Sequence, residues 1–88
     1  MKLTQKVKIK NSLGLHARPA SIIVKLLQAR KSRVTFTYRK ETINARSIMG
    51  ILMLAARKNS TLTIQVEGED ATLAMEQLLE AFEQKFGE

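Results

Sequence analysis

The chain opens on strict alternation. Leu3, Gln5, Val7 and Ile9 fall on one side and Lys2, Thr4, Lys6, Lys8 and Lys10 on the other, which predicts a half-buried strand over residues 2–10. Asn11-Ser12-Leu13-Gly14 breaks the pattern. The period then changes. Ala20, Ile23, Val24 and Leu27 recur at helical spacing, and Pro19 suits the first turn, where its missing N–H costs no intrahelical bond. This helix is expected to end near Arg30 to Ser32. Val34, Phe36 and Tyr38 alternate with threonines as a second strand. Arg39-Lys40-Glu41 turns the chain without the Asn-Gly or Asp-Gly of a tight hairpin, and Thr42 to Ala45 returns as a weak strand. Ser47 is placed to cap a short helix reaching about Leu54, and Asn59 can adopt the left-handed conformation that ends it. Leu62, Ile64 and Val66 mark a fourth strand over Thr61 to Val66. Gly68 turns the chain, and Glu69 or Asp70 caps a last helix with the stripe Ala71, Ala74, Met75, Leu78 and Phe82. Glu76, Glu80 and Glu83 line its wet side.

The order is therefore β-α-β-β-α-β-α. Four strands and amphipathic helices on one face give a two-layer α+β sandwich, antiparallel at least in part. The 88 residues allow a single domain over 1–88, which buries roughly 60% of the surface its unfolded chain exposes. A hydrophobic fraction of 44% excludes wholesale disorder. With no cysteine there is no disulfide, thiolate zinc site or thiol catalysis, and a single histidine cannot build a histidine-rich metal site. The apolar run Ile48 to Ala56 is interrupted by Gly50 and falls far short of a membrane span. No signal-peptide pattern opens the chain, so the expected location is the cytoplasm.

Charge is the unusual feature. The net value is +7. Residues 1–44 carry eleven basic residues and one acidic, a net +10, whereas residues 45–88 carry four basic and seven acidic, a net −3. Such a basic half suits nucleic acid, an anionic membrane surface or an acidic protein partner.

The one histidine, His16, stands where the first helix begins, with Arg18 two residues on. A helix N-terminus offers unpaired N–H groups and a partial positive charge, a ready site for phosphate. The same field disfavours an imidazolium, and a neutral imidazole is a nucleophile. Phosphate gained there lies over the amides of Ala17 and Arg18, with the Arg18 guanidinium supplying charge-assisted hydrogen bonds. Gly14 lets the loop approach closely. The plain alternative is that His16 is a polar cap and Arg18 a solvated charge. No second histidine, triad or carboxylate pair is present, which argues against a self-sufficient hydrolase or metalloenzyme.

The run Gly14-Leu15-His16-Ala17-Arg18-Pro19-Ala20 resembles the active-site signature of HPr, the histidine phosphocarrier family of the bacterial phosphoenolpyruvate-dependent phosphotransferase system. Ser47-Ile48-Met49-Gly50 resembles its regulatory motif, and Glu67-Gly68-Glu69-Asp70 fits before the last helix without a gap. The resemblance spans essentially the whole chain. It implies an open-faced β-sandwich of four strands with three helices on one face. It implies a carrier, not an enzyme and without a cofactor, whose His16 takes a phosphoryl group on Nδ1 from phospho-enzyme I and passes it to EIIA, with Arg18 as phosphate partner. It implies phosphorylation of Ser47 by an HPr kinase in members that have one. Leu13 stands where many sugar-transport members have Asn or Ser, so residues 11–14 are more like the nitrogen-related regulatory branch. Arg39-Lys40 and Asn59 stand where glycines are common, and +7 is unusual for the family.

Helix two is apolar at six of its seven positions from Ile48 to Leu54. Either it is sunk in the sandwich or part of it forms a docking patch beside His16. The resemblance favours docking of enzyme I and EIIA through Ile48, Met49 and Leu52. Ser47 needs no regulatory role to explain a cap, although a phosphate there also suits the helix dipole. The remote alternative is a small RNA-binding domain, since β-α-β-β-α-β is the order of an RRM. Phe36 and Tyr38 are the only strand aromatics, and neither an RNP1-like run nor a Gly-x-x-Gly loop is present, so nucleic acid is disfavoured.

Overall fold

A computed structural model describes all residues, Met1–Glu88. Four strands, β1 (Lys2–Lys8), β2 (Arg33–Tyr38), β3 (Glu41–Asn44) and β4 (Thr61–Glu67), form one sheet in the order β1-β4-β2-β3. Every pairing is antiparallel. Helices α1 (Ala17–Gln28), α2 (Ile48–Leu54) and α3 (Ala71–Glu83) make the second layer. The architecture is the expected α+β open-faced sandwich. No helix is long and apolar enough to cross a membrane.

Register explains the two faces. Leu3, Val66 and Val34 share one cross-strand row, and Gln5, Ile64, Phe36 and Ile43 share the next. These rows face the helices, and Val34, Phe36, Leu62, Ile64 and Val66 are fully buried. The opposite rows hold Thr4, Gln65, Thr35 and Asn44, then Lys6, Thr63, Thr37 and Thr42. That face is polar and uncovered. Phe36 is wholly enclosed and Tyr38 lies on the same, helix-covered side, so the open face has no aromatic platform for stacking bases. From the helix layer, Ala20, Ile23 and Leu27 of α1 and Ala71, Ala74, Met75, Leu78 and Phe82 of α3 close the core. Phe82 meets Phe36 edge-on, with ring centroids 6.1 Å apart.

Several local expectations need correction. The first strand stops at Lys8 rather than Lys10, although Ile9 still bonds to the backbone of Ser60 and Asn59. Gln5 belongs to the inward row yet is exposed, because an edge strand lets an amide that could not be buried unpaired reach water. Val24 is only half-buried. Asp70 occupies the N-cap position of α3 but makes no capping bond. Its carboxylate instead accepts from the Lys31 N–H at 2.8 Å, the Ser32 N–H at 2.9 Å and the Ser32 hydroxyl, tying α3 to the segment after α1. Asn59 is left-handed at φ 72°, but it serves the turn before β4. Helix α2 is ended by Ala55, left-handed at φ 50° and ψ 36°.

Two predictions follow from these local features. A left-handed alanine costs roughly 1–2 kcal/mol, and glycine recovers this less its own backbone entropy of about 0.5–1 kcal/mol. Ala55 is exposed, so no packing is lost. Ala55→Gly is expected to raise stability by about 0.5–1 kcal/mol, read as a melting temperature higher by roughly 2–8 °C. The second concerns acid. The Ser32 hydroxyl bond, followed by the Lys31 amide, holds the Asp70 carboxyl below its ordinary value. A depressed folded value means stability present above the unfolded value and lost as pH falls through the folded one. Urea titrations below about pH 4 are expected to show the wild type losing more of its neutral-pH stability than Asp70→Asn loses of its own.

Candidate functional site

The loop before α1 is closed from within. Asn11, only 2% exposed, donates its Nδ2 to the Gly14 carbonyl, and the Gly14 N–H donates back to the Asn11 carbonyl at 3.1 Å. Gly14 is left-handed at φ 64°, and a Cβ there would stand 2.3 Å from the Ala56 carbonyl oxygen. Glycine is required on both counts. Leu15 is buried and donates its N–H to that same oxygen at 3.1 Å, pinning the loop to the segment after α2.

His16 comes next, at the N-cap position with extended backbone. Its side chain makes no capping bond, so the polar-cap alternative does not hold. The first backbone bond of the helix runs from the Ala20 N–H to the His16 carbonyl. The amides of Ala17 and Arg18 therefore have no protein acceptor, and Pro19 has no N–H to satisfy. No acidic residue occupies this first turn.

The two imidazole nitrogens differ. Nε2 is buried and lies 2.7 Å from Oε2 of Glu88. The two stand at ion-pair distance without forming a hydrogen bond. Nδ1 has no hydrogen-bond partner and, unlike Nε2, is not fully enclosed, so it is the more accessible nitrogen. Arg18 is exposed and forms no ion pair, since the only two in the structure are Lys10–Glu83 and His16–Glu88. One of its guanidinium nitrogens passes 3.7 Å from where a Cβ would stand at Gly87.

Glu88 and Asn11 escape sequence reading. The chain doubles back after α3 through a short 3-10 turn, Lys85–Gly87, with Lys85 and Phe86 both left-handed. Phe86 is 5% exposed and packs edge-on against Phe82, centroids 4.9 Å apart. The only sequence signal for this anchor is a lone apolar residue among polar ones, one turn beyond the apolar stripe of α3.

Ser47 caps α2, its Oγ accepting from the Gly50 N–H at 3.0 Å. Arg46 beside it spans three carbonyls, Leu27 and Arg30 at 2.7 Å and Ser32 at 2.6 Å, and so fastens the start of α2 to the end of α1. Ile51 and Leu54 turn inward. Ile48 is 42% exposed and Met49 66%, whereas Leu52 is half-buried against the core. Met53, at 75% exposure, is more exposed than Leu52 and extends the expected patch of Ile48, Met49 and Leu52. Helix α2 packs on α1 and β3, so this surface belongs to the same layer as His16.

An open sandwich that leaves one imidazole nitrogen accessible, beside unpaired amides and an unpaired guanidinium, has the makings of a phosphoryl carrier. A family model described as "PTS HPr component phosphorylation site" matches residues 3–84. The chain is 46% identical over 80 residues to the phosphocarrier protein HPr of Chlamydia muridarum, covering 91% of this chain and 77% of that protein. It is 36% identical to the phosphocarrier protein HPr of Xylella fastidiosa strain Temecula1, covering 98% and 97%. The crystal structure of HPr-C-His from Thermoanaerobacter tengcongensis superposes with a TM-score of 0.93 at 35% identity, covering 98% and 97%. The chain belongs to the HPr family of phosphocarrier proteins of the phosphotransferase system.

The cap makes a direct prediction. Ser47→Ala leaves the Gly50 N–H without its acceptor and is expected to cost about 1 kcal/mol, seen as a melting temperature lower by roughly 4–8 °C.

Proposed function

We propose that His16 is the phosphoryl acceptor, at Nδ1, receiving the group from the phosphohistidine of enzyme I and passing it to a histidine of EIIA. The observation that carries this reading is the asymmetry of the ring: Nε2 is buried and Nδ1 open, at a helix N-terminus with two unpaired amides. The Nδ1 lone pair forms a bond to phosphorus as the donor's N–P bond breaks, and the pair from that bond stays on the donor nitrogen. The incoming phosphoryl oxygens are met by the N–H groups of Ala17 and Arg18 and by the Arg18 guanidinium, preorganised and without competing acceptors. The protein is a stoichiometric carrier rather than an enzyme. It acts as one domain in the cytoplasm, needing no cofactor or metal, with phosphoenolpyruvate as the ultimate donor.

Partners dock on the exposed side of α2, through Ile48, Met49 and Leu52, with Met53 added by its exposure. Methionine suits such a surface because its unbranched side chain adapts to more than one partner. Phosphorylation of Ser47 by an HPr kinase would add roughly −1.5 to −2 charges at the start of that helix. The helix dipole tolerates this charge, while a partner attracted by the basic first half of the chain does not. A second reading, in which the carrier serves a regulatory rather than a sugar-transporting chain, is favoured by Leu13, which is 74% exposed immediately before Gly14.

Intact mass after incubation with phosphoenolpyruvate and enzyme I tests the carrier. One acid-labile phosphoryl group is expected in the wild type and none in His16→Ala. Arg18→Ala is expected to fold normally and accept phosphate roughly 10- to 100-fold more slowly, the worth of a charge-assisted hydrogen bond. An unchanged wild-type mass with a cognate enzyme I would sink the reading.

A further inference from the structure

Glu88 has no part in that transfer, yet it is the one charged partner of the buried nitrogen of His16. Its Oε2 is 2.7 Å from Nε2. Its Oε1 accepts from Nδ2 of Asn11 at 3.1 Å. Asn11 is itself locked by its bonds within the loop, so the carboxylate is held from behind by a rigid, buried amide. Phe86 anchors the turn that delivers it. The result is a cluster of three side chains, with Asn11 holding Glu88 by a hydrogen bond and Glu88 standing against His16, built from two distant parts of the sequence.

The electrostatics decide which ring nitrogen keeps the proton. A carboxylate oxygen this close repels a nitrogen lone pair and attracts an N–H. With Glu88 at Nε2, the neutral ring keeps its proton there, and the lone pair is left on Nδ1, the more accessible nitrogen. The preference comes from the carboxylate charge and does not require a formed hydrogen bond.

We propose that Glu88 is a positioning residue for phosphoryl transfer, holding the His16 proton on Nε2 and offsetting the positive charge the ring acquires when Nδ1 attacks. The proposal rests on the reading that His16 carries the phosphate. As the Nδ1–phosphorus bond forms, the donor's bond to phosphorus breaks and its pair leaves with the donor. The ring retains the Nε2 proton and becomes cationic, and Glu88 remains an anion facing that charge. When the phosphoryl group departs to the next acceptor, the bonding pair returns to Nδ1 and the ring is neutral again. The same carboxylate therefore serves both directions of transfer, since it stays on the side of the ring away from phosphorus.

Two measurements on purified Glu88→Leu and Glu88→Gln, each shown to be folded by circular dichroism, test this. In steady-state transfer from enzyme I with the carrier as varied substrate, both variants are expected to lower kcat, Glu88→Leu by roughly 10-fold as for the loss of an orienting partner, with KM close to wild type. In ¹⁵N spectra of the neutral His16 ring, the wild type is expected to show a single Nε2–H tautomer and Glu88→Leu a mixture. A wild-type kcat in either variant, a change in KM alone, or an unchanged tautomer in Glu88→Leu would overturn the proposal. The tautomer measurement needs no partner protein. If the wild type accepted no phosphate at all, the carrier reading would fall while the spectra still decided whether Glu88 holds the proton.

Discussion

The contact between Gly14 and the Ala56 carbonyl is the constraint on which the site depends. At 2.3 Å from a hypothetical Cβ to that oxygen, only glycine fits. The approach lets the Leu15 N–H reach the same carbonyl and brings the start of α1 against the segment that leaves α2. His16 is the next residue, so its backbone direction follows from this junction. Were the loop to stand a little further off, Leu15 would lose its acceptor and its burial together, and the imidazole would no longer be trapped with one nitrogen in and one out.

From that junction the division of labour in the molecule follows. The sheet supplies a stiff, fully antiparallel floor whose helix-facing rows are apolar except for Gln5 at the edge and whose other face is polar. Arg46 ties the beginning of α2 to the Leu27 carbonyl in the last turn of α1 and to those of Arg30 and Ser32 just beyond it, so the two helices are fastened at both ends: by Arg46 at one and by the Gly14–Ala56 contact at the other. On the proposed reading such rigidity around one accessible nitrogen is an advantage, because a nucleophile held in place does not have to be ordered at each encounter. The apolar side chains on the outer side of α2 sit on this frame rather than on a loose loop.

Much of this was legible in the sequence, and the reason is locality. Alternation and helical period mark β1, β2, β4, α1 and α3, because each of these buries one face against a single core, whereas β3 is only weakly patterned and α2 is placed by its Ser47 cap. The serine cap of α2 and the glycine of the His16 loop were also readable, since they act over three or four residues. What could not be read depends on distant contacts. Ala55 ends α2 in a left-handed conformation that its residue type disfavours, drawing attention instead to Asn59. Asp70 looks like a helix cap but serves residues 31 and 32, nearly forty positions away. Nothing local announces that Arg46 reaches back to α1. Least visible of all is the tail, where two left-handed residues and one buried phenylalanine return Glu88 to the histidine.

The central claim is that this chain carries phosphate on one defined nitrogen of His16. The most direct measurement is a heteronuclear NMR spectrum of the ¹⁵N-labelled protein after phosphorylation by enzyme I and phosphoenolpyruvate, recording which ring nitrogen couples to phosphorus. The structure predicts coupling to Nδ1 alone, with Nε2 protonated. Phosphorus on Nε2, or on a residue other than His16, would contradict the account.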